Sequence, residues 1–189
     1  MSEAPEQVDG AVAVSHIGLC VSDFDRSIRF YTEGLGFHLA EKFDIGDSLA
    51  QLAEVPPPIR CRSQMIVNGQ TKLELLDWKT PRPEGAALVT RRQIGFTHLS
   101  VYVKDLTAAE ARLVALGATP IEYTRTHIPM RGGAMDVLFL ADPDGIRIEL
   151  VQVTSPATDL EWSGSGYGGS GSMISSVWPR KPAIRSGRY

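Results

Sequence analysis

Each half of this chain carries the same two phrases in the same order, so the module formed by the first half must recur in the second. His16 stands in SHIGLCVSDF and His98 in THLSVYVKDL; both runs pass through Val-x-Asp into a helix-like stretch. Glu74 lies in KLELLDW and Glu149 in RIELVQV, each within an apolar-Glu-Leu triplet. The histidines are 82 residues apart (98 − 16) and the glutamates 75 (149 − 74), so one half is an imperfect copy of the other.

Local signals give the order of elements. A strand is expected over roughly 12–21, a helix over 24–34 and a strand over 37–44. Asp23 is placed as the helix N-cap, and Phe24, Ile28, Tyr31 and Leu35 follow at helical spacing. After a segment broken by Pro56, Pro57 and Pro58, two strands, CRSQMIVN and KLELLDW, are joined by Asn68-Gly69, a strong hairpin signal. The second half repeats this: a strand over 95–103, a helix from Leu106 to Leu116 capped by Asp105, and a strand near Thr119–Arg125. A hairpin then turns at Asp142-Pro143-Asp144-Gly145. The fold class is therefore α+β, two tandem βαβββ modules. The divisions are a flexible lead (1–11), a first module (12–78), a linker (79–93), a second module (94–154) and a flexible Gly/Ser-rich tail (155–189).

Composition narrows the function. A net charge of −3 with mixed signs offers no basic stripe for nucleic acid. No apolar run approaches the roughly 18 residues that a membrane span needs. The acidic start, MSEAPEQVDG, is unlike a signal peptide, and the two cysteines, Cys20 and Cys61, form no disulfide framework. A reducing cytoplasm is the expected location, with Cys20 read as a small core residue.

Strand alternation bears on His16, Glu74, His98 and Glu149. If His16 faces a cavity, so does Gly18, while Ile17, Leu19 and Val21 face the helices. Likewise His98, Ser100 and Tyr102 share one face, and Leu99, Val101 and Val103 the other. An inward carboxylate or imidazole is costly without a partner, and a divalent cation supplies one. Two imidazoles and two carboxylates suit Zn²⁺, Ni²⁺, Co²⁺, Mn²⁺ or Fe²⁺. His127 and Arg62 are further candidates for lining such a cavity.

The phrases SHIGLCVSDFDRSIRFYTEGLGF, KLELLDW, THLSVYVKDL and FLADPDGIRIELV resemble those of the vicinal oxygen chelate superfamily, which includes glyoxalase I, methylmalonyl-CoA epimerase, extradiol dioxygenases and resistance proteins. The resemblance covers about residues 12–153 and implies a curved, incomplete eight-stranded barrel with one divalent metal ion in its concave face. It also implies a homodimer. Within the superfamily the chain looks most like glyoxalase I, which implies isomerisation of a small-molecule hemithioacetal by proton transfer beside a chelated carbonyl. Glu149, or else Glu74, is then the base. Arg131-Gly132-Gly133 resembles the Lys-Gly-Gly loop of bacterial glyoxalases, making Arg131 an anion anchor. One departure is notable: glutathione-using members carry an Arg after the first His, where this chain has Ile17-Gly18-Leu19-Cys20.

Three alternatives remain at this stage. An epimerase of the methylmalonyl-CoA type would use the same ligands. An Fe²⁺ extradiol dioxygenase needs two His and one carboxylate, and Glu74 would then occupy a position its substrates require. A non-enzymatic sequestering protein would leave the four-residue set without a purpose.

Overall fold

The computed structural model describes residues 14–87, 90 and 92–154. The expected N-terminal lead, part of the linker and the expected C-terminal tail lie outside these residues. In the first half, β1 (Ile17–Cys20) is followed by α1 (Phe24–Arg29), which continues as a π-helical turn over Phe30–Gly34. β2 (His38–Gly46), a short α2 (Ala50–Ala53), β3 (Arg60–Asn68) and β4 (Thr71–Thr80) complete it. The second half comprises β5 (Leu99–Tyr102), α3 (Leu106–Ala115), β6 (Thr119–Pro120), β7 (Thr126–Met130), β8 (Gly133–Ala141) and β9 (Arg147–Thr154).

The repeat seen in the sequence is a repeat of topology. One sheet runs β1-β4-β3-β2 and the other β5-β9-β8-β6, with β7 also paired to β8. In each, the opening strand lies parallel to the last, and the remaining pairs are antiparallel. Neither sheet closes on itself, as an incomplete barrel requires. Both aspartate caps form: Asp23 accepts from the Arg26 amide at 3.1 Å and Asp105 from the Ala108 amide at 2.9 Å. Gly69, at φ 58°, turns the β3–β4 hairpin as its Asn-Gly pair predicts.

The expected strand near Thr119–Arg125 is the main departure. Pro120 has no amide hydrogen to extend a ladder, and β6 stops there. A 3-10 turn over Glu122–Thr124 intervenes before β7, so among the described residues the sheets hold nine strands.

The modules pack through their helix-bearing faces. One core takes Leu19, Ile66, Leu73 and Leu75 from the first sheet and Leu138, Leu140, Ile148 and Leu150 from the second. Between them lie Phe30, Tyr31, Leu106, Ala109 and Leu113. Close approach of the helical segments depends on Gly34, where a Cβ would meet Leu113 Cδ2 at 2.7 Å. The β8–β9 turn fastens the second half to α1. Tyr31 donates to Asp142 at 2.9 Å, the Arg26 guanidinium and the Ser22 amide donate to Asp144 at 2.9 and 3.1 Å, and the Ser22 hydroxyl also donates to Asp144.

Candidate metal centre

Register fixes which side chains share a face. Gly18 pairs with Glu74 and Cys20 with Leu76 across β1 and β4, while Met65 and Ser63 oppose Glu74 and Leu76 across β3. These residues lie on the side of the sheet away from the core that Leu73, Leu75 and Ile66 enter. His16, just before β1, joins them: its Nε2 lies 3.2 Å from Glu74 Oε2. The second sheet reproduces the arrangement. His98, just before β5, places Nε2 3.5 Å from Glu149 Oε2. Ser100 and Tyr102 share that face, opposite Glu149 and Val151.

The far nitrogen of each imidazole is held in the same way. Ser15 Oγ lies 3.0 Å from His16 Nδ1, and Thr97 Oγ1 lies 2.8 Å from His98 Nδ1. With the proton on Nδ1 the hydroxyl accepts it, and Nε2, on the carboxylate side of the ring, carries the lone pair that a cation would use. That is how a second shell prepares a histidine ligand. The repeated Ser/Thr-His dipeptide carried this signal in the sequence, and reasoning from the His and Glu positions alone passed over it. Ser63 was also missed. The residue is 1% exposed, its hydroxyl donates to Glu74 Oε1 at 2.5 Å, and no spacing rule marks it.

The two pairs do not meet within one chain. Each lies on the outward face of its sheet, with the shared core between them. Among the described residues, no three His, Cys, Asp or Glu side chains of one chain cluster as a metal site would need. The donor set itself fits a borderline divalent cation: two imidazole nitrogens with fixed rings and two half-buried carboxylates. Thiolates do not compete. Burial pushes the Cys61 thiol up to about 11, with Asp77 adding to it, and burial together with Asp144 raises that of Cys20. Cys20, expected in the core, is exposed on the Glu74 face because its register partner is Leu76 rather than Leu75.

The expected substrate contacts divide. Tyr102 is 68% exposed on the Glu149 face, and below it Val137, Phe139 and Val151 form a small apolar floor. The Phe139 ring meets the His98 imidazole edge-on at 5.3 Å. Arg131 tops the β7–β8 hairpin, roughly 20 Å along β8 from the register partner of Glu149 at the usual rise per residue. Two contacts need correction. Arg62 pairs with Asp77 in register, so it points to the helix side; it donates to Asp77 at 2.7 Å and stacks 4.4 Å from the Phe24 ring centre. It is thus a structural group paired with Asp77 on the helix side, not a cavity residue. His127 pairs with Asp136 on the face opposite Glu149, and its Nδ1 lies 2.7 Å from Asp136 Oδ1. The alternation of β7 turns it away from the site.

Comparison with known proteins shows the family and the fold. Residues 13–150 match the model of the Glyoxalase/Bleomycin resistance protein/Dioxygenase superfamily. A lactoylglutathione lyase of Pseudomonas aeruginosa is 30% identical over 79% of this chain and 88% of its own length. A 2-epi-5-epi-valiolone epimerase of an Actinomyces species is 29% identical over 79% of this chain and 84% of its own. Among solved structures, a glyoxalase family protein from Bacillus cereus superposes with a TM-score of 0.66 at 17% identity, covering 82% of this chain and all of that one. Glyoxalase I of Zea mays gives 0.51 at 25% identity, covering 72% of this chain and 43% of that one.

Proposed function

Because the chain belongs to the Glyoxalase/Bleomycin resistance protein/Dioxygenase superfamily, we propose that it is a metal-dependent enzyme of glyoxalase I type. It would move a proton beside the carbonyl of a small hemithioacetal. One observation carries the proposal: His16–Glu74 and His98–Glu149 are equivalent half-sites on outward faces. A second copy of the chain, laid with its Glu149 face against the Glu74 face of the first, would complete a four-ligand set. A symmetric pair of chains would build two such sites. Val14, Phe43 and Tyr102 are large exposed apolar side chains that such a homodimer would cover.

A divalent cation held by His16 and Glu74 of one chain and His98 and Glu149 of the other would polarise the substrate carbonyl as a Lewis acid. The remaining work falls to the protein. Ser15 and Thr97 hold the imidazoles, and the apolar floor of Val137, Phe139 and Val151 keeps water from the reacting carbon. Glu149 takes the proton from the carbon next to the carbonyl and returns it to the neighbouring carbon. Tyr102 lies beside that path.

A second reading is favoured by the epimerase relative and by the β1 strand. Gly18 and Cys20 are the residues that β1 presents on the Glu74 face, so this strand offers no cation for a glutathione carboxylate. An epimerase would use the same base to remove the proton, and that carbon would then be reprotonated on the opposite face of the enolate. Elemental analysis of purified protein, followed by assays on hemithioacetals and on epimerisable 2-hydroxy ketones, tests both readings. Stoichiometric metal is expected, one ion per chain. Protein without metal affinity, inactive on both substrate classes, would overturn the proposal.

A further inference from the structure

The two half-sites differ in one respect that the repeat makes visible. Glu74 is opposed by Met65, and Ser63 lies two residues along β3, opposite Leu76. Glu149 is opposed by Phe139, and Val137 lies at the corresponding place on β8, opposite Val151. A serine hydroxyl therefore stands beside one carboxylate where a valine stands beside the other. The serine is 1% exposed and its bond to Glu74 Oε1 is 2.5 Å long, so water does not compete for it. The register neighbour on the other side differs in the opposite sense: Gly18 adjoins Glu74, and Ser100 adjoins Glu149. Ser100 is exposed, and among the described residues no hydrogen bond joins it to Glu149.

We propose that Ser63 is a positioning residue that locks Glu74 as a stationary metal ligand. This rests on the metal-centre reading above. A hydroxyl donating to a carboxylate gives a short, charge-assisted bond. With Oε1 committed to Ser63, Oε2 alone is turned toward His16, so Glu74 approaches the cation through one oxygen in one orientation. A carboxylate that must leave its place to carry a proton would have to break that bond first. Val137 imposes no such restraint on Glu149. The duplicated module has thus divided its two glutamates, one fixed for binding and one released for chemistry.

Dissociation constants for Co²⁺, measured against a chelating dye on the intact apo-protein, test this assignment. Ser63→Ala should weaken binding by roughly 10–100-fold, the usual cost of losing an outer-shell partner. Ser63→Thr, which keeps the hydroxyl, should stay near wild type, and the visible spectrum of bound Co²⁺ should change in the Ala variant alone. If Ser63 acts through Glu74, Ser63→Ala added to Glu74→Ala should cost nothing further. Equal affinity in wild type and Ser63→Ala, or full additivity with Glu74→Ala, would overturn the role of Ser63 while leaving the metal centre standing. Wild-type protein that takes up no cation would overturn both. Should Ser63→Ala fail to fold, Ser63→Cys, close in shape and a weaker donor, must show the intermediate loss.

Discussion

Tyr31 and Asp142, 111 positions apart, meet in the core with the phenol donating to the carboxylate at 2.9 Å. Neither touches a candidate ligand, yet the pair ties together the two modules that carry them. The Asp142 side chain also accepts from the amides of Asp144 and Ile146, so it shapes its own turn while receiving the helix of the other module. Tyr31→Phe removes one donor from a buried acceptor and should cost about 1–3 kcal/mol. For a chain of this length each kcal/mol lowers the thermal midpoint by roughly 2–4 °C. Scanning calorimetry of Tyr31→Phe against wild type checks it, and an unchanged midpoint would mean that the clasp contributes nothing.

Gly34 makes the same interface sensitive to a single methyl group. A Cβ there would lie 2.7 Å from Leu113 Cδ2 and 3.1 Å from Leu116 Cδ1, and Leu113 is fully buried with no room to retreat. Gly34→Ala should destabilise by about 1–3 kcal/mol, the usual cost of overpacking. Urea unfolding should show a lower midpoint with an unchanged slope.

Asp77 provides a pH signature. Burial alone would push its carboxyl up, but hydrogen bonds and charge from Lys79 and Arg62 outweigh that and hold it below 3.8. A carboxyl whose folded value is depressed contributes stability that is complete above its unfolded value and is lost as pH falls through the folded one. Asp77→Asn should therefore cost about 1–3 kcal/mol at neutral pH. The gap to wild type should narrow as pH drops below about 4. Unfolding titrations of both proteins across that range read it directly; a gap independent of pH would remove the ion pair from the account.

Particular residues explain what the sequence made legible. The caps at Asp23 and Asp105 and the turns at Asn68-Gly69 and Asp142–Gly145 are local, and they form as read. The faces of His16, Glu74, His98 and Glu149 follow from a two-residue period, which survives errors in strand ends. Arg62 and His127 were misplaced because assignment to a cavity needs register, and register is set by partner strands distant in sequence. The break at Pro120 was available from proline's missing donor. That the two His–Glu pairs back onto a common core was not legible at all, since no local pattern says which faces of two modules pack together.

The glutamates should respond differently to the same change. Glu149→Gln keeps shape and a ligand oxygen but removes the base, so turnover should fall by about 100–10,000-fold with the metal retained. If Glu74 is the fixed ligand, Glu74→Gln removes its charge, so the first loss should be in metal affinity, with turnover recovering at high metal concentration. Metal content and kcat measured together separate the two. Full activity in both variants would rule out proton abstraction by either carboxylate.

Whether a site spans two chains is decided by complementation. His16→Ala/Glu74→Ala destroys every first-half contribution, and His98→Ala/Glu149→Ala every second-half contribution, so each parent homodimer should be inactive. In a heterodimer of the two, one interface joins the intact pair of one chain to the intact pair of the other. The second interface receives both damaged pairs. A heterodimer purified through two different tags should regain about half of wild-type activity and bind one cation, as two-fold symmetry dictates. Sites built within single chains would leave the same heterodimer inactive, since each chain would still carry its own defect. Circular dichroism of the parents guards against a trivial loss of fold.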